Sequence, residues 1–303
     1  MPHISISDVQ AFWNANPCNS RYSNQTDRKA YFDELEQRRY RVEWHIPIVA
    51  QFDRFKDKDV LEIGCGMGCD GLQFARHGAR YTGLDLTLAA IEISRERFSL
   101  YGVSGHFKNG NAEEMPFEDN SFDHIYSFGV IHVSPDTPAI VKQMYRVLRP
   151  GGTFTVMVYN KTSINYYIEI MFLRKLFRWL LYPAFMPRLL SKVFGLDYYA
   201  LKGHHELLRT HPKMSNAEWL SRNTDGPYCP YAKVYDEKGV LELFKDFEDV
   251  RTDVWYFEPS HWSFIGKMMP MRLVKFLGRH WGWHRMVYGR KPLNRPQTSD
   301  LQS

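Results

Sequence analysis

Residues Val60–Gly71 read VLEIGCGMGCDG, and Tyr81–Thr87 read YTGLDLT. A short apolar run, VLEI, enters a turn with Gly64, Gly66 and Gly68 at alternate positions, and a second apolar run ends on Asp85. This order predicts a βαβ unit that holds a nucleoside: glycines let the backbone approach a ligand closely, and a carboxylate ending the second strand accepts hydrogen bonds from ribose hydroxyls. Glu62 precedes the first glycine by two residues, so the pattern is E-x-G-x-G-x-G and not the pyrophosphate-binding G-x-G-x-x-G. No lysine follows to hold a phosphate, which excludes a P-loop. An acidic glycine turn suits a ligand with a cationic centre and no phosphates.

Further blocks follow in order: NGNAEEMPFEDNSFDHIYSFGVIHV from Asn109 and RVLRPGG from Arg146. With these, the stretch Lys56–Tyr159 resembles the class I S-adenosylmethionine-dependent methyltransferases, particularly the broad group acting on small molecules and lipids. The resemblance implies an α/β fold, a Rossmann-like, doubly wound, mostly parallel seven-stranded sheet, with S-adenosylmethionine as cofactor. It implies that Glu62 lies near the methionine amino group, that Gly64, Gly66 and Gly68 leave room for methionine and ribose, and that Asp85 accepts from both ribose hydroxyls. Leu86 would touch the adenine, and Ala112 would offer its backbone. Asn111 stands where the family usually has Asp and can meet the adenine amino group through its carbonyl oxygen. Ser127 and Gly129 would follow strand four on the side where the methyl group faces the acceptor. For Asp85, a helix N-cap role is the alternative reading.

On the acceptor side, His132 occupies a position where related enzymes often have a histidine near the transferred methyl, and a neutral imidazole there can take a proton from a hydroxyl. Relatives often have a second histidine next, where this chain has Val133. An ordinary structural histidine is the other reading of His132. Tyr159 and Tyr22 are candidates to line the acceptor pocket. His204, His205 and His211 show no helical i,i+4 pair with an acid at ligand spacing, so no metal is expected.

The chain has 303 residues, 44% hydrophobic and 15% aromatic, enough for one good core with decorations. Its four cysteines are too sparse for a disulfide framework, and Cys65 and Cys69 read as small apolar packing beside the glycine turn. MPHISISDVQ lacks the basic and apolar regions of a signal peptide, so a cytoplasmic, reducing location is expected.

The expected organisation is a helical cap over 1–50, a cofactor-binding core over 51–160, and a helical acceptor lid over 161–235. The end of the sheet, with a basic apolar insertion, occupies 236–291, and a tail occupies 292–303. Lys161–Leu196 carries six basic residues against Glu169 alone, and Ser260–Lys291 carries seven and no acid, so the rest of a chain of net +5 is acidic. These basic, apolar segments read either as a lid over a hydrophobic or lipid-like acceptor or as contact with an anionic membrane surface. Nucleic acid is the weaker partner, since the cations sit among bulky aliphatics, outside any recognisable RNA-binding module, and no N/D-P-P-Y/F motif follows strand four. A non-catalytic cofactor-binding protein is the remaining alternative.

Overall fold

In this computed structural model, which describes residues 4–16, 23–262, 266 and 268–293, the VLEI run lies in β1 (Asp59–Ile63). Val60, Leu61 and Ile63 are essentially inaccessible to water. A mainly apolar run, here interrupted by the buried Glu62, is what a central strand of a two-sided sheet requires. β1 pairs in parallel with β2 (Arg80–Asp85) on one side and β4 (Phe122–Phe128) on the other, and β3 (His106–Asn109) adds to β2. With β5 (Leu148–Tyr159), β6 (Glu248–Trp255) and β7 (His284–Arg290), the sheet runs β3-β2-β1-β4-β5-β7-β6. Only β7 is antiparallel to its neighbours, so the sheet is mostly parallel, as the resemblance implied.

The N-terminal region supplies α1 (Ile6–Ala15), α2 (Arg28–Val42) and α3 (Ile46–Ala50). Helices α4 (Cys69–Arg76), α5 (Leu88–Leu100) and α6 (Thr137–Val147) are the crossovers. Their starts are written locally: Thr87 accepts from the Ala90 amide, and Asp136 from the Ala139 amide with Pro138 in the first turn. The apolar face of α6 packs Ile140 and Met144 with Leu61, Ile125 and Phe154 of the sheet.

Arg149–Gly152, the end of the RVLRPGG block, lies inside β5 as an irregularity where the β4–β5 register shifts between Phe122 and His124. Gly151 takes φ +76°, which lets the strand bulge without ending.

Between β5 and β6 come a π-helical stretch, Asn165–Arg174, then α7 (Met186–Phe194), α8 (Tyr198–Thr210), α9 (Asn216–Thr224) and α10 (Glu237–Leu243). α11 (Met271–Trp281) connects β6 to β7. Ile170, Trp219 and Leu220 root the first of these insertions against Met157, Tyr159 and Trp283. The strand order reverses between β2 and β4 around β1, which places a crevice at the carboxyl ends of these strands.

Candidate active site

A cavity of about 190 Å³ opens at that crevice. Its floor is the glycine turn, with φ +76° at Gly64, +53° at Gly66 and +67° at Gly68, a region that favours glycine. The three glycines do different work. A Cβ on Gly64 would stand 2.2 Å from Val130, whereas one on Gly66 would meet nothing within 4 Å. Gly66 therefore leaves open space in the cavity, and Gly64 allows the turn to pack under the β4 loop. Gly68 does not line the cavity; it starts α4 and packs beside Ser94.

Three carboxylates gather here in a mainly apolar wall. Glu62 is buried and accepts from the Tyr81 hydroxyl at 2.5 Å; burial and the neighbouring Asp70 push its pKa well up. Asp70, despite burial, is held below its ordinary value by Arg39, whose guanidinium donates to both carboxylate oxygens at 2.9 and 2.6 Å. The hydroxyls of Tyr40 and Tyr126 donate to the same carboxylate, each at 3.0 Å. Burial raises the pKa of Asp85 in spite of backbone donors. Its Oδ2 accepts from the Gly66 amide, and its Oδ1 from the Thr87 amide and hydroxyl, all at 2.9 Å. A carboxylate offers about four acceptor sites. Asp85 thus has three filled by its own chain, and it supports the start of α5 through Thr87.

The roof comes from the N-terminal helices. Ile6, Val9 and Trp13 of α1 and Arg39 of α2 face the cavity, and Gln10 Nε2 donates to the Leu86 carbonyl at 2.8 Å. Leu86, Asn111, Ala112 and Gly129 also line it. Asn111 Oδ1 already accepts from the Glu113 amide at 3.0 Å, using one of its lone pairs. Ser127 does not reach the cavity; fully buried, it donates to the Ile63 carbonyl at 3.1 Å and ties β4 to β1. Among the described residues, neither basic insertion lines this cavity, and its cover is α1.

His132 and Tyr159 lie behind the Gly129–Val133 wall, in a second, tightly packed polar-aromatic cluster. The His132 ring sits 3.9 Å from that of Tyr159, which stacks on Trp283 at 4.4 Å. Tyr159 donates to Asp225 Oδ1 at 2.7 Å and faces His284 across the β5–β7 ladder. His284 Nδ1 and His45 Nε2 share a hydrogen bond of 3.0 Å. Both His132 ring nitrogens and Asp225 Oδ2 are buried without a partner in hydrogen-bond geometry, an arrangement with unused capacity for a ligand's polar group. Tyr22 lies outside the described residues. Among the described residues, no group of His, Cys, Asp or Glu is placed to hold a metal.

Burial holds His132 neutral, down to a pKa of about 3 in spite of the nearby Met157 backbone, and it does the same for His45 and His124. Unfolding frees these rings to bind protons near their ordinary 6.5, so the unfolded state gains protons first as pH falls. Their contribution is complete above about pH 6.5 and is lost progressively toward pH 3. At pH 5 each costs about 2 kcal/mol. Thermal melts should therefore show a steep loss of stability between pH 7 and 5; a flat profile there is incompatible with three buried neutral histidines.

Residues 60–152, which build the glycine turn, Asp85 and β4, match the sequence profile of the methyltransferase-domain family. The chain carries a methyltransferase domain. Over 121 residues, this part of the chain is 34% identical to the sterol 4-C-methyltransferase of Caenorhabditis elegans, covering 39% of this chain and 36% of that one. It is 38% identical over 124 residues to the fatty-acid O-methyltransferase of Mycolicibacterium smegmatis, covering 40% and 43%. The chain thus spans less than half the length of these curated relatives. A solved SAM-dependent methyltransferase from Methanosarcina mazei shares the fold, with a TM-score of 0.50 and 21% identity over 82% of this chain and 98% of that one.

Beyond the methyltransferase domain's motifs, the structure adds residues that sequence reading missed. Asp70 stood inside the decisive stretch with no role attached to it. Its importance comes from Arg39, thirty-one positions earlier, and that pairing has no local signature. Asp225, which meets Tyr159, and the α1 residues over the cavity likewise have no local signature.

Proposed function

We propose that this protein is an S-adenosylmethionine-dependent methyltransferase acting on a hydrophobic or lipid-like acceptor. The observation that carries it is the acidic glycine turn beneath an otherwise apolar cavity: Glu62 favours a cationic ligand, the open face of Gly66 leaves it space, and Asp85 keeps one acceptor site for a ribose hydroxyl. The residues present fit the cofactor. When bound, it supplies a methyl group on a positively charged sulfur.

The chain's own groups would do the rest. Glu62, with its raised pKa, becomes ionised as it meets an ammonium. Leu86, Asn111 and Ala112 flank the adenine side, and Ile6, Val9 and Trp13 exclude water. Gly129 lies at the end of β4, toward the acceptor. In-line displacement depends chiefly on such positioning. His132, near Tyr159, would take the proton of a hydroxyl acceptor, and the orphaned Asp225 oxygen would hold its polar end. The sterol and fatty-acid relatives support a hydrophobic acceptor, and the aromatic wall of Tyr159 and Trp283 is consistent with one. O-methylation suits His132 best, because a buried neutral imidazole accepts a hydroxyl proton more readily than it activates carbon.

Incubating the protein with methyl-labelled cofactor and separate lipid, small-molecule and RNA extracts tests this reading. Label should enter the lipid fraction. Asp85→Ala should weaken cofactor binding about ten- to a hundredfold through one lost ligand bond and a loosened turn. Label confined to RNA overturns the acceptor class, and absence of cofactor binding by calorimetry overturns the activity.

A further inference from the structure

The strongest feature outside the site is the outward face of the insertion after β5. Phe172, Trp179, Phe185 and Val193 are 60%, 59%, 64% and 61% exposed, values unusual for large apolar side chains so close in sequence. On α7, Leu189 and Val193 form one exposed stripe, and Arg188 and Lys192 form the neighbouring one. Residues four apart share a helix face, and successive residues lie about 100° apart. α7 is thus built to lie flat with its apolar stripe inward and its cations along the flank. Upstream, the Trp179 and Tyr182 rings stack 5.7 Å apart, and the Arg178 guanidinium lies 4.8 Å from the Trp179 ring centroid. Aromatic rings beside cations suit the boundary between hydrocarbon and charged headgroups.

We propose that this face docks on the surface of an anionic lipid bilayer. It rests on the methyl-transfer reading only for its purpose, the supply of a hydrophobic acceptor, and not for the binding itself. Charge decides the occupant. Lys161–Leu196 has six basic residues against Glu169; with Arg174 paired to Glu169 and Lys161 to Asp236, the excess is Lys175, Arg178, Arg188 and Lys192. A second copy related by a two-fold axis would set this face against itself, cation against cation. A nucleic acid would satisfy the cations and leave the Phe, Leu and Val side chains in water. An anionic bilayer takes up both. No helix among the described residues is long and apolar enough to cross a membrane, so docking would be peripheral. Ile170, on the inner side of the same insertion, packs in one cluster with Tyr159 and Trp283, so the docking face is anchored on the acceptor wall.

Sedimentation of the full chain with phosphatidylcholine vesicles, alone or doped with phosphatidylglycerol, tests the proposal without cofactor or acceptor. Binding should be at least about tenfold tighter to the doped vesicles and should weaken as salt rises. Two exposed variants separate the contributions. Arg188→Glu/Lys192→Glu should abolish the preference for anionic lipid, and Phe185→Ser/Val193→Ser should weaken binding to doped vesicles about tenfold or more. Calorimetry with S-adenosylmethionine on the same samples should be unchanged by either, which separates failure here from failure of the methyl-transfer reading. Unchanged vesicle binding in both variants overturns the proposal. A dimer in sedimentation velocity that Phe185→Ser/Val193→Ser dissociates overturns it in favour of a second copy.

Discussion

Gly64→Ala is expected to remove cofactor binding, lowering affinity at least about a hundredfold, and to destabilise the fold as well. Gly64 takes φ +76°, and a side chain there costs about 1–3 kcal/mol of strain. Its Cβ would also stand 2.2 and 2.7 Å from the two Val130 methyls and 2.9 Å from the Val130 Cβ. Val130 branches at Cβ and cannot swing only its far end aside, so the overlap is relieved by moving the turn or the β4 loop. Overpacking of this kind adds about 1–3 kcal/mol. Both segments line the cavity. Gly66→Ala makes the informative contrast. Its Cβ meets nothing within 4 Å, so the thermal midpoint should fall far less than for Gly64→Ala, while the methyl enters space reserved for ligand. Calorimetry and melting of the two variants side by side check this. Wild-type affinity in Gly66→Ala would show that the ligand binds elsewhere.

His132→Gln is expected to lower turnover by about 10²–10⁴-fold, with cofactor affinity within about twofold of wild type. Its ring lies outside the cofactor-side cavity, so the loss should fall on kcat and acceptor KM and spare cofactor binding. Gln is preferred to Ala because emptying a fully buried site would add a cavity cost of about 2–5 kcal/mol. The pH profile separates a base from packing. Burial keeps His132 neutral down to about 3, so any acid limb that it contributes to kcat/KM should lie below pH 6.5, and His132→Gln should remove that limb. A near-wild-type rate in the variant would leave His132 as packing and indicate a nucleophile that needs no base.

The floor of the cavity was legible because its determinants are local. Glu62, the glycines and Asp85 are spaced by strand and turn geometry, and the structure brings Glu62, Gly64, Gly66, Asp85, Leu86, Asn111, Ala112 and Gly129 to one cavity. Gly68 and Ser127 belong to the same blocks, but one starts a helix and the other ties two strands together. A motif records that a position is constrained, and both ligand contact and packing constrain it. The second, polar-aromatic cluster was poorly legible because Tyr159, Asp225, His284 and His45 come from distant parts of the chain, and only the β5–β7 pairing and the return of the insertion bring them together.

The sequence by itself determined the alternation of strands and helices. Apolar runs, the glycine turn and the helical patterns between them predict parallel strands joined by crossover helices, each signal acting over a few residues, and the family resemblance implied the doubly wound order. It also determined that cations and large apolar side chains are segregated after β5. Tertiary structure alone decided which way those side chains point. The insertion buries Ile170, Trp219 and Leu220 but turns Phe172, Trp179 and Phe185 outward, while α1 covers the cavity. The physical reason is that hydrophobic patterning states how much surface seeks cover, whereas the covering partner is chosen by contacts between segments far apart in the chain.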